Sequence, residues 1–332
     1  MSDRHVFITG ANGYVGRNLV QHFVAAGCAV TGLVRHEEAA RQIAALGARP
    51  MLGDMMDADL ADRMTGCDAL VHAAACLDHG PGAAAQAANR EGTRNVMTAA
   101  LRAGLRRAVH ISSDSVLQDG RPLRQVTEDH PLPRRPAGAY SAGKAEAEAI
   151  ALAAARDGLG LVILRPRMVW GRDDTTALPT LARMVREGRF AWISGGSYPC
   201  STTHVANLCH AVDLALGSRI SGAVYHIADG PARPFRETVT GLLATQRLTP
   251  PDKSVPRPLL RGMARLGDAL FRLSGGRLRG PLSFQEYATS AVEISLDTSR
   301  AERDLGYAPI IGWEEGLEDL RARSQGTAAK AA

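Results

Sequence analysis

Lysine is nearly missing from this chain. Of 39 basic residues only Lys144, Lys253 and Lys330 are lysines; the rest are arginine. The arginine excess reads as codon bias in a GC-rich genome, because the arginines are scattered and form no basic stripe. Aromatic residues make up only 5% of the chain, too few to interleave with them, so nucleic-acid binding has no support. Cysteine is sparse as well. Cys28, Cys67, Cys76, Cys200 and Cys209 are odd in number, widely spaced and form no C-x-x-C pair. Zinc and redox motifs therefore have no footing, no metal spacing is visible among the histidines, and a reducing compartment is expected. No run approaches the ~18 apolar residues that a membrane span needs. Met1-Ser2-Asp3-Arg4 enters a strand-like run without the apolar segment of a signal peptide, so a cytoplasmic protein is expected. What is present is 45% apolar and 22% charged residue content over 332 residues at a net charge of +5. That describes a globular protein of one or two domains, able to bury a core without disulfides or metal.

The first half alternates short β-branched runs with Ala-rich helical stretches. His5–Thr9, Cys28–Val34, Asp68–His72, Arg107–Ser113 and Leu161–Leu164 read as strands, with a third strand of the series ending just before Gly53. Tyr14–Ala26, Glu37–Leu46, Ala83–Ala103 and Ala139–Arg156 read as helices between them. This alternation predicts an α/β fold, a doubly wound parallel sheet covered on both faces. Thr175–Gly188 and His204–Leu216 continue as helices, and Ala223–Ala228 reads as a strand able to rejoin the sheet. From Pro231 prolines multiply and the rhythm stops. We expect residues 1–170 and about 200–230 to form the nucleotide-binding domain. About 171–199 and 231–323 should form a smaller, mainly helical substrate lobe, with 324–332 as a flexible tail.

Thr9-Gly10-Ala11-Asn12-Gly13-Tyr14-Val15-Gly16 closes the first strand and opens the first helix. Glycines at this spacing permit a tight turn, close approach of backbone to a pyrophosphate, and tight helix–strand contact. The helix start offers free N–H groups to the phosphates. Gly10, Asn12, Gly13, Tyr14 and Val15 are thus candidate dinucleotide contacts. At the end of the second strand an Asp or Glu would hold a ribose 2′-hydroxyl, but Val34 stands there and Arg35 follows, a cation suited to a 2′-phosphate. NADP(H) is the expected cofactor, with NAD(H) the other candidate. Asp54 is placed to accept from the adenine amino group, with Met55 beside the ring.

Tyr140 and Lys144 begin a long helix at i,i+4 spacing, which puts them on one face. A phenol is a poor acid–base catalyst at neutral pH. An ammonium ~4 Å away contributes about 4 kcal/mol at an effective dielectric near 20, nearly 3 pKa units. Lys144 is therefore expected to lower the Tyr140 pKa and to hold the nicotinamide ribose, and Tyr140 to exchange a proton with a carbonyl or alcohol oxygen. A chain so poor in lysine still has one here, where a compact three-donor ammonium fits and a planar guanidinium does not. Ser113, at the end of the fifth strand, is expected to hydrogen-bond the reacting oxygen.

Together these residues resemble the extended short-chain dehydrogenase/reductases. The pattern comprises Thr9–Gly16, Gly53-Asp54, His72-Ala73-Ala74-Ala75, Asn89 with Gly92-Thr93, Ser113, Tyr140/Lys144 and Arg165-Pro166. The resemblance implies a seven-stranded Rossmann sheet, cofactor contacts from Ala73, Ala74, Ala75 and Asn89, a nicotinamide site bordered by Pro166 and Val169, and a homodimer through helices typical of the family. Leu164–Gly171, Thr203–Asn207 and Leu305–Pro309 are similar to phrases of the 3β-hydroxysteroid dehydrogenase and dihydroflavonol reductase branch. Family epimerases usually show R-Y-F-N where Arg165-Pro166-Arg167-Met168 stands, and dehydratases show Thr-Asp-Glu where Ser113-Asp114-Ser115 stands. Gly143 departs from the usual Ser, and Asn207 from a frequent Asp.

The expected activity is reduction of a ketone, or oxidation of the matching secondary alcohol, on a bulky apolar substrate of steroid-like or polyketide-like shape. An epimerase working through a transient ketone, on a sugar nucleotide for example, is the alternative; a non-catalytic dinucleotide sensor is the third reading. Leu259, Leu260, Met263, Leu266 and Leu270 recur at helical spacing within 258–273, interspersed with Arg261, Arg265 and Arg272. We read this stretch as a lid over an apolar substrate; a membrane-surface helix or an ordinary packed helix fits the same pattern.

Overall fold

The computed structural model describes residues 4–76 and 84–331. Seven strands carry the β-branched runs: β1 His5–Thr9, β2 Ala29–Val34, β3 Arg49–Leu52, β4 Ala69–His72, β5 Arg107–Ile111, β6 Gly160–Pro166 and β7 Ala223–Ile227. They pair in parallel in the order β7-β6-β5-β4-β1-β2-β3. Parallel strands need crossovers, and helices supply them: α1 Tyr14–Ala25, α2 Glu37–Ala45, α3 Leu60–Met64, α4 Ala84–Arg102 and α5 Ala139–Arg156. Further along come α6 Ala177–Arg186, α7 Val205–Gly217, α8 Phe235–Ala244, α9 Arg257–Leu273, α10 Phe284–Ser290, α11 Ser299–Leu305 and α12 Trp313–Ala331.

The bounds read from the sequence differ from these by no more than two residues, though Ala83 of the expected fourth helix lies outside the described residues. One difference has a chemical cause. The fifth strand stops at Ile111, short of the expected Ser113, because the Ser113 hydroxyl caps a 3-10 turn over Asp114–Leu117 by accepting from the Ser115 N–H.

Alternate residues of each strand face opposite helical layers. Val6, Ile8, Val109 and Leu164 pack with Leu19 and Phe23 of α1 and with Leu208 and Val212 of α7. Ala301, Leu305 and Tyr307, from the segment assigned to the lobe, also enter this core. Phe7, Leu70, Ala108 and Ile163 face the other way, onto Val96 and Ala100 of α4 and Ala151 and Ala154 of α5. The remaining helices gather with a four-stranded sheet built of Arg233–Pro234, Pro199–Cys200, Ile294–Leu296 and Leu123–Val126. Its last strand comes from the first half of the chain, so the lobe is tied to the segment between β5 and α5. Helix α12 runs through the stretch set apart as a tail, and Ala332 lies outside the described residues. Among the described residues no helix is long and apolar enough to cross a membrane.

Helix α5 is held closely on two sides. A Cβ at Gly143 would lie 2.7 Å from the Gln86 Cα of α4, which explains glycine where Ser is usual. On the sheet side, Arg165 of β6 donates through Nε and Nη2 to the two oxygens of Glu148 at 2.8 and 2.6 Å, with both side chains buried. Breaking a buried pair leaves an uncompensated charge, at about 3–5 kcal/mol. Arg165→Met is expected to lower unfolding stability by that order in urea titrations. Adding Glu148→Met should recover most of the loss, since the paired charges contribute little beyond their own desolvation.

Candidate active site

Strand register sets the site. Thr9, His72, His110 and Ile163 lie side by side across β1, β4, β5 and β6. The residues that follow each strand therefore share one edge, where parallel sheets bind ligands. Gly10 turns there with φ +68°, and a Cβ on it would lie 2.8 Å from the Ala74 backbone. A Cβ on Gly16 would lie 2.0 Å from the Gly10 oxygen. Only glycine allows this compact backbone cradle. Helix α1 starts from Gly13 with no side-chain cap, so its first N–H groups, from Tyr14 and Val15, remain for phosphate oxygens. Asn12 is half-buried beside them. The shape and donor set of this cradle fit a dinucleotide pyrophosphate.

Around it the sequence-derived contacts divide. Ala73 and Ala74 are held by β1, their N–H groups donating to the Thr9 carbonyl and hydroxyl oxygens, each at 3.3 Å. Ala75 follows them, half-buried. Asn89 is buried and spends its amide on the next residue, accepting from Cys76 N at 2.7 Å and donating to Cys76 O at 3.1 Å. It thus shapes the turn beside Ala75. Arg35 is exposed at the end of β2, and among the described residues no carboxylate pairs with it. The Gly53 N–H donates to the Val34 carbonyl, which brings Asp54 to the same end. The Asp54 carboxylate accepts from Met56 N at 2.9 Å, and the Met55 side chain packs where a Gly92 Cβ would be. Pro166 is buried at the end of β6 and Val169 half-buried just beyond, pairing with Thr203.

Tyr140 and Lys144 both lie buried in the first turns of α5. The Lys144 Nζ donates to the Ile111 carbonyl at 2.9 Å, and the Ser113 hydroxyl hydrogen-bonds the Tyr140 phenol. Burial pushes Tyr140 up to about 12; the Ser113 bond opposes this and the Asp114 charge adds to it. Burial also pulls Lys144 down to about 8, against the pull of Glu148. The expected lowering of Tyr140 by Lys144 is thus not what this geometry produces. Helical spacing established that the two share a face, but removal from water dominates at Tyr140, and the Lys144 hydrogen bond goes to the β5 carbonyl.

Behind these residues lies a polar network whose partners sequence reasoning did not join. Arg167 donates to Asp114 at 2.9 Å and to the Thr289 carbonyl at 3.0 Å, and Gln118 donates to the same Asp114 oxygen at 2.8 Å. No local spacing links residues 114 and 167. Only the presence of two arginines, Arg165 and Arg167, at the end of an apolar strand could have hinted at buried partners. His72 bridges Thr9 and Thr93 hydroxyls at 2.7 and 3.0 Å and stacks on His110. Burial lowers His72 to about 3, with Lys144 acting the same way, so it is a neutral packed group. Among the described residues no His, Cys, Asp and Glu cluster is arranged to hold a metal ion.

Lys144 binds its proton less tightly in the folded chain than in the unfolded one, so burying its charge opposes folding below about pH 8. Relative to its effect at pH 10.5, Lys144→Met is expected to gain about 2–3 kcal/mol of stability at pH 7, a difference in which the loss of the hydrogen bond to Ile111 cancels. The gain should fade as pH rises from about 8 toward 10.5, where the unfolded lysine also loses its proton. Thermal unfolding of both proteins across that range checks it.

Comparison with known proteins agrees with this geometry. Residues 6–228 match the NAD dependent epimerase/dehydratase family. Over 317 residues, 95% of each chain, this protein is 43% identical to one of Stigmatella aurantiaca named 4-hydroxy-2-methyl-3-oxo-4-farnesyl-3,4-dihydroquinoline-1-oxide ketoreductase. It is 32% identical, over 96% of this chain and 99% of the other, to the 2-alkyl-3-oxoalkanoate reductase of Stenotrophomonas maltophilia. The fold also matches the dTDP-glucose 4,6-dehydratase of Streptomyces venezuelae solved with NAD, at TM-score 0.75 and 24% identity over 98% of both chains. With ketoreductases, 3β-hydroxysteroid dehydrogenases and dihydroflavonol-reductase-like proteins among its relatives, this chain belongs to the NAD-dependent epimerase/dehydratase family of extended short-chain dehydrogenases/reductases, and is an NAD(P)-dependent oxidoreductase.

Proposed function

We propose that this enzyme is an NADP(H)-dependent ketoreductase of the cytoplasm, reducing a ketone on a bulky, largely apolar substrate. The observation that carries the reading is the buried Tyr140 phenol, hydrogen-bonded to Ser113 and pushed up to about 12. Such a phenol is fully protonated at neutral pH, the form that delivers a proton to the strongly basic oxygen of a reduced carbonyl. Ser113 holds that oxygen, and Lys144 supplies further N–H donors toward the ribose. The cradle from Gly10 to Val15, the Ala73–Ala75 turn and the edge at Pro166 and Val169 would hold the cofactor, with Asp54 and Met55 toward its adenine. When bound, the cofactor supplies the hydride that reaches the carbonyl carbon.

Two further observations support parts of this. Asp114 is tied up by Arg167 and Gln118, and Ser115 stands beside it, so this carboxylate is not free for the proton removal that elimination requires. Arg35, exposed with no partner carboxylate among the described residues, suits the 2′-phosphate of NADP(H). For substrate class we follow the names of the two relatives, each of which describes a 3-oxo compound, one carrying a farnesyl and the other an alkyl substituent. The α4–α5 face, with half-buried Leu101 and Ile150, suits pairing with a second copy.

NADPH oxidation measured by absorbance against a 2-alkyl-3-oxo acid checks the roles of the residues. Tyr140→Phe should lower kcat by roughly 10²–10⁴-fold with little change in NADPH affinity. Equal turnover by wild type and Tyr140→Phe contradicts the acid role. Arg35→Ala should raise KM for NADPH roughly tenfold or more, the loss of one charge-assisted contact, and leave KM for NADH nearly unchanged.

A further inference from the structure

Helix α9, Arg257–Leu273, carries a surface that the catalytic reading does not use. Leu259, Met263, Leu266, Leu270 and Leu273 repeat at alternating steps of four and three residues. At 100° per residue they fall within an arc of about 80°. No part of the described chain covers this stripe. It faces outward, with Leu259 57%, Leu266 61% and Leu273 86% exposed, and Leu278 continues it beyond the helix. Six of the ten exposed large hydrophobic side chains among the described residues lie between 259 and 278. The helix is seated through half-buried Leu260, which packs on the core around Val116, Leu117 and Tyr287, and through small residues. Ala264 and Gly267 are its buried positions, and a Cβ on Gly267 would come within 3.2 Å of the Gly280 Cα.

The charge of the same segment identifies what would cover it. Residues 257–279 hold Arg257, Arg261, Arg265, Arg272, Arg277 and Arg279 against one carboxylate, Asp268, a surplus equal to the formal net charge of the whole chain, +5. Among the described residues none of the six forms an ion pair, whereas arginines elsewhere form many. Asp268 faces the Phe284 N–H at 3.3 Å, and the neighbouring Glu286 is engaged in capping α10. Arg265 and Arg279 lie over the Phe284 and Phe271 rings, so they stay beside the helix. A second copy using this face would set like charge against like charge. An apolar stripe backed by a basic face suits a helix lying in the plane of a lipid interface, and the unpaired arginines suit acidic headgroups. We propose that α9 docks this enzyme on the surface of an anionic phospholipid bilayer.

Cosedimentation of the full chain with vesicles tests this without any turnover, so the result is independent of the substrate. Wild type should pellet with phosphatidylcholine vesicles containing phosphatidylglycerol, less with phosphatidylcholine alone, and less again as salt is raised. Leu266→Glu/Leu270→Glu changes exposed positions and should melt like wild type while losing tenfold or more in partition. Arg277→Ala/Arg279→Ala should lose roughly tenfold on the anionic vesicles alone. Wild type left in the supernatant with anionic vesicles overturns the proposal, as does full binding by the Leu266→Glu/Leu270→Glu variant. So does sedimentation velocity showing self-association that this variant abolishes while vesicles fail to bind wild type, which would identify a second copy as the occupant.

Discussion

The position of helix α5 is the constraint on which the rest of the site depends. Its first turns carry Tyr140 and Lys144, and three contacts hold it. Gly143 lets the α4 backbone approach, Lys144 donates to the β5 carbonyl of Ile111, and Glu148 forks onto Arg165 of β6. Because these contacts reach β5 and β6, α5 cannot shift without moving against the strands whose ends supply Ser113 and Pro166. Catalytic distances are thereby tied to the sheet, the stiffest part of the molecule.

Dryness is the second determinant. The environment that fixes Tyr140 also removes it from water, which keeps its proton on, and it draws Lys144 down to about 8. The same burial would make a lone Asp114 costly, and Arg167 with Gln118 offsets that cost. One consequence is structural: Asp114 is joined through Arg167 to the carbonyl of Thr289 in α10.

Much of this was legible in the sequence, where a backbone or spacing requirement writes itself into residue type. The glycines at 10, 13 and 16 reflect a cradle with no room for a Cβ, and the Tyr–Lys spacing reflects one turn of helix. The parallel sheet followed from the alternation of strands and helices, and its seven strands from the family resemblance. What was not legible depends on partners far apart in the chain. Asp114 and Arg167, the pairing of Leu123–Val126 with Ile294–Leu296, and the turn of Asn89 onto Cys76 have no local signature. Periodicity found the amphipathic pattern of α9 but not which way it faces, because small residues can seat a helix as well as large ones. The Tyr140 acidity was misjudged for a related reason: spacing reports neighbours, whereas burial belongs to the whole fold.

The central claim is net transfer of hydride to a ketone, with Tyr140 protonating the oxygen. Mass spectrometry of the product formed with NADPH deuterated at nicotinamide C4 on the transferred face tests it most directly. The account predicts one deuterium gained at the former carbonyl carbon for each cofactor molecule consumed. A product of unchanged oxidation state, formed while the cofactor keeps its reduced form, would contradict it and favour epimerisation through a transient ketone.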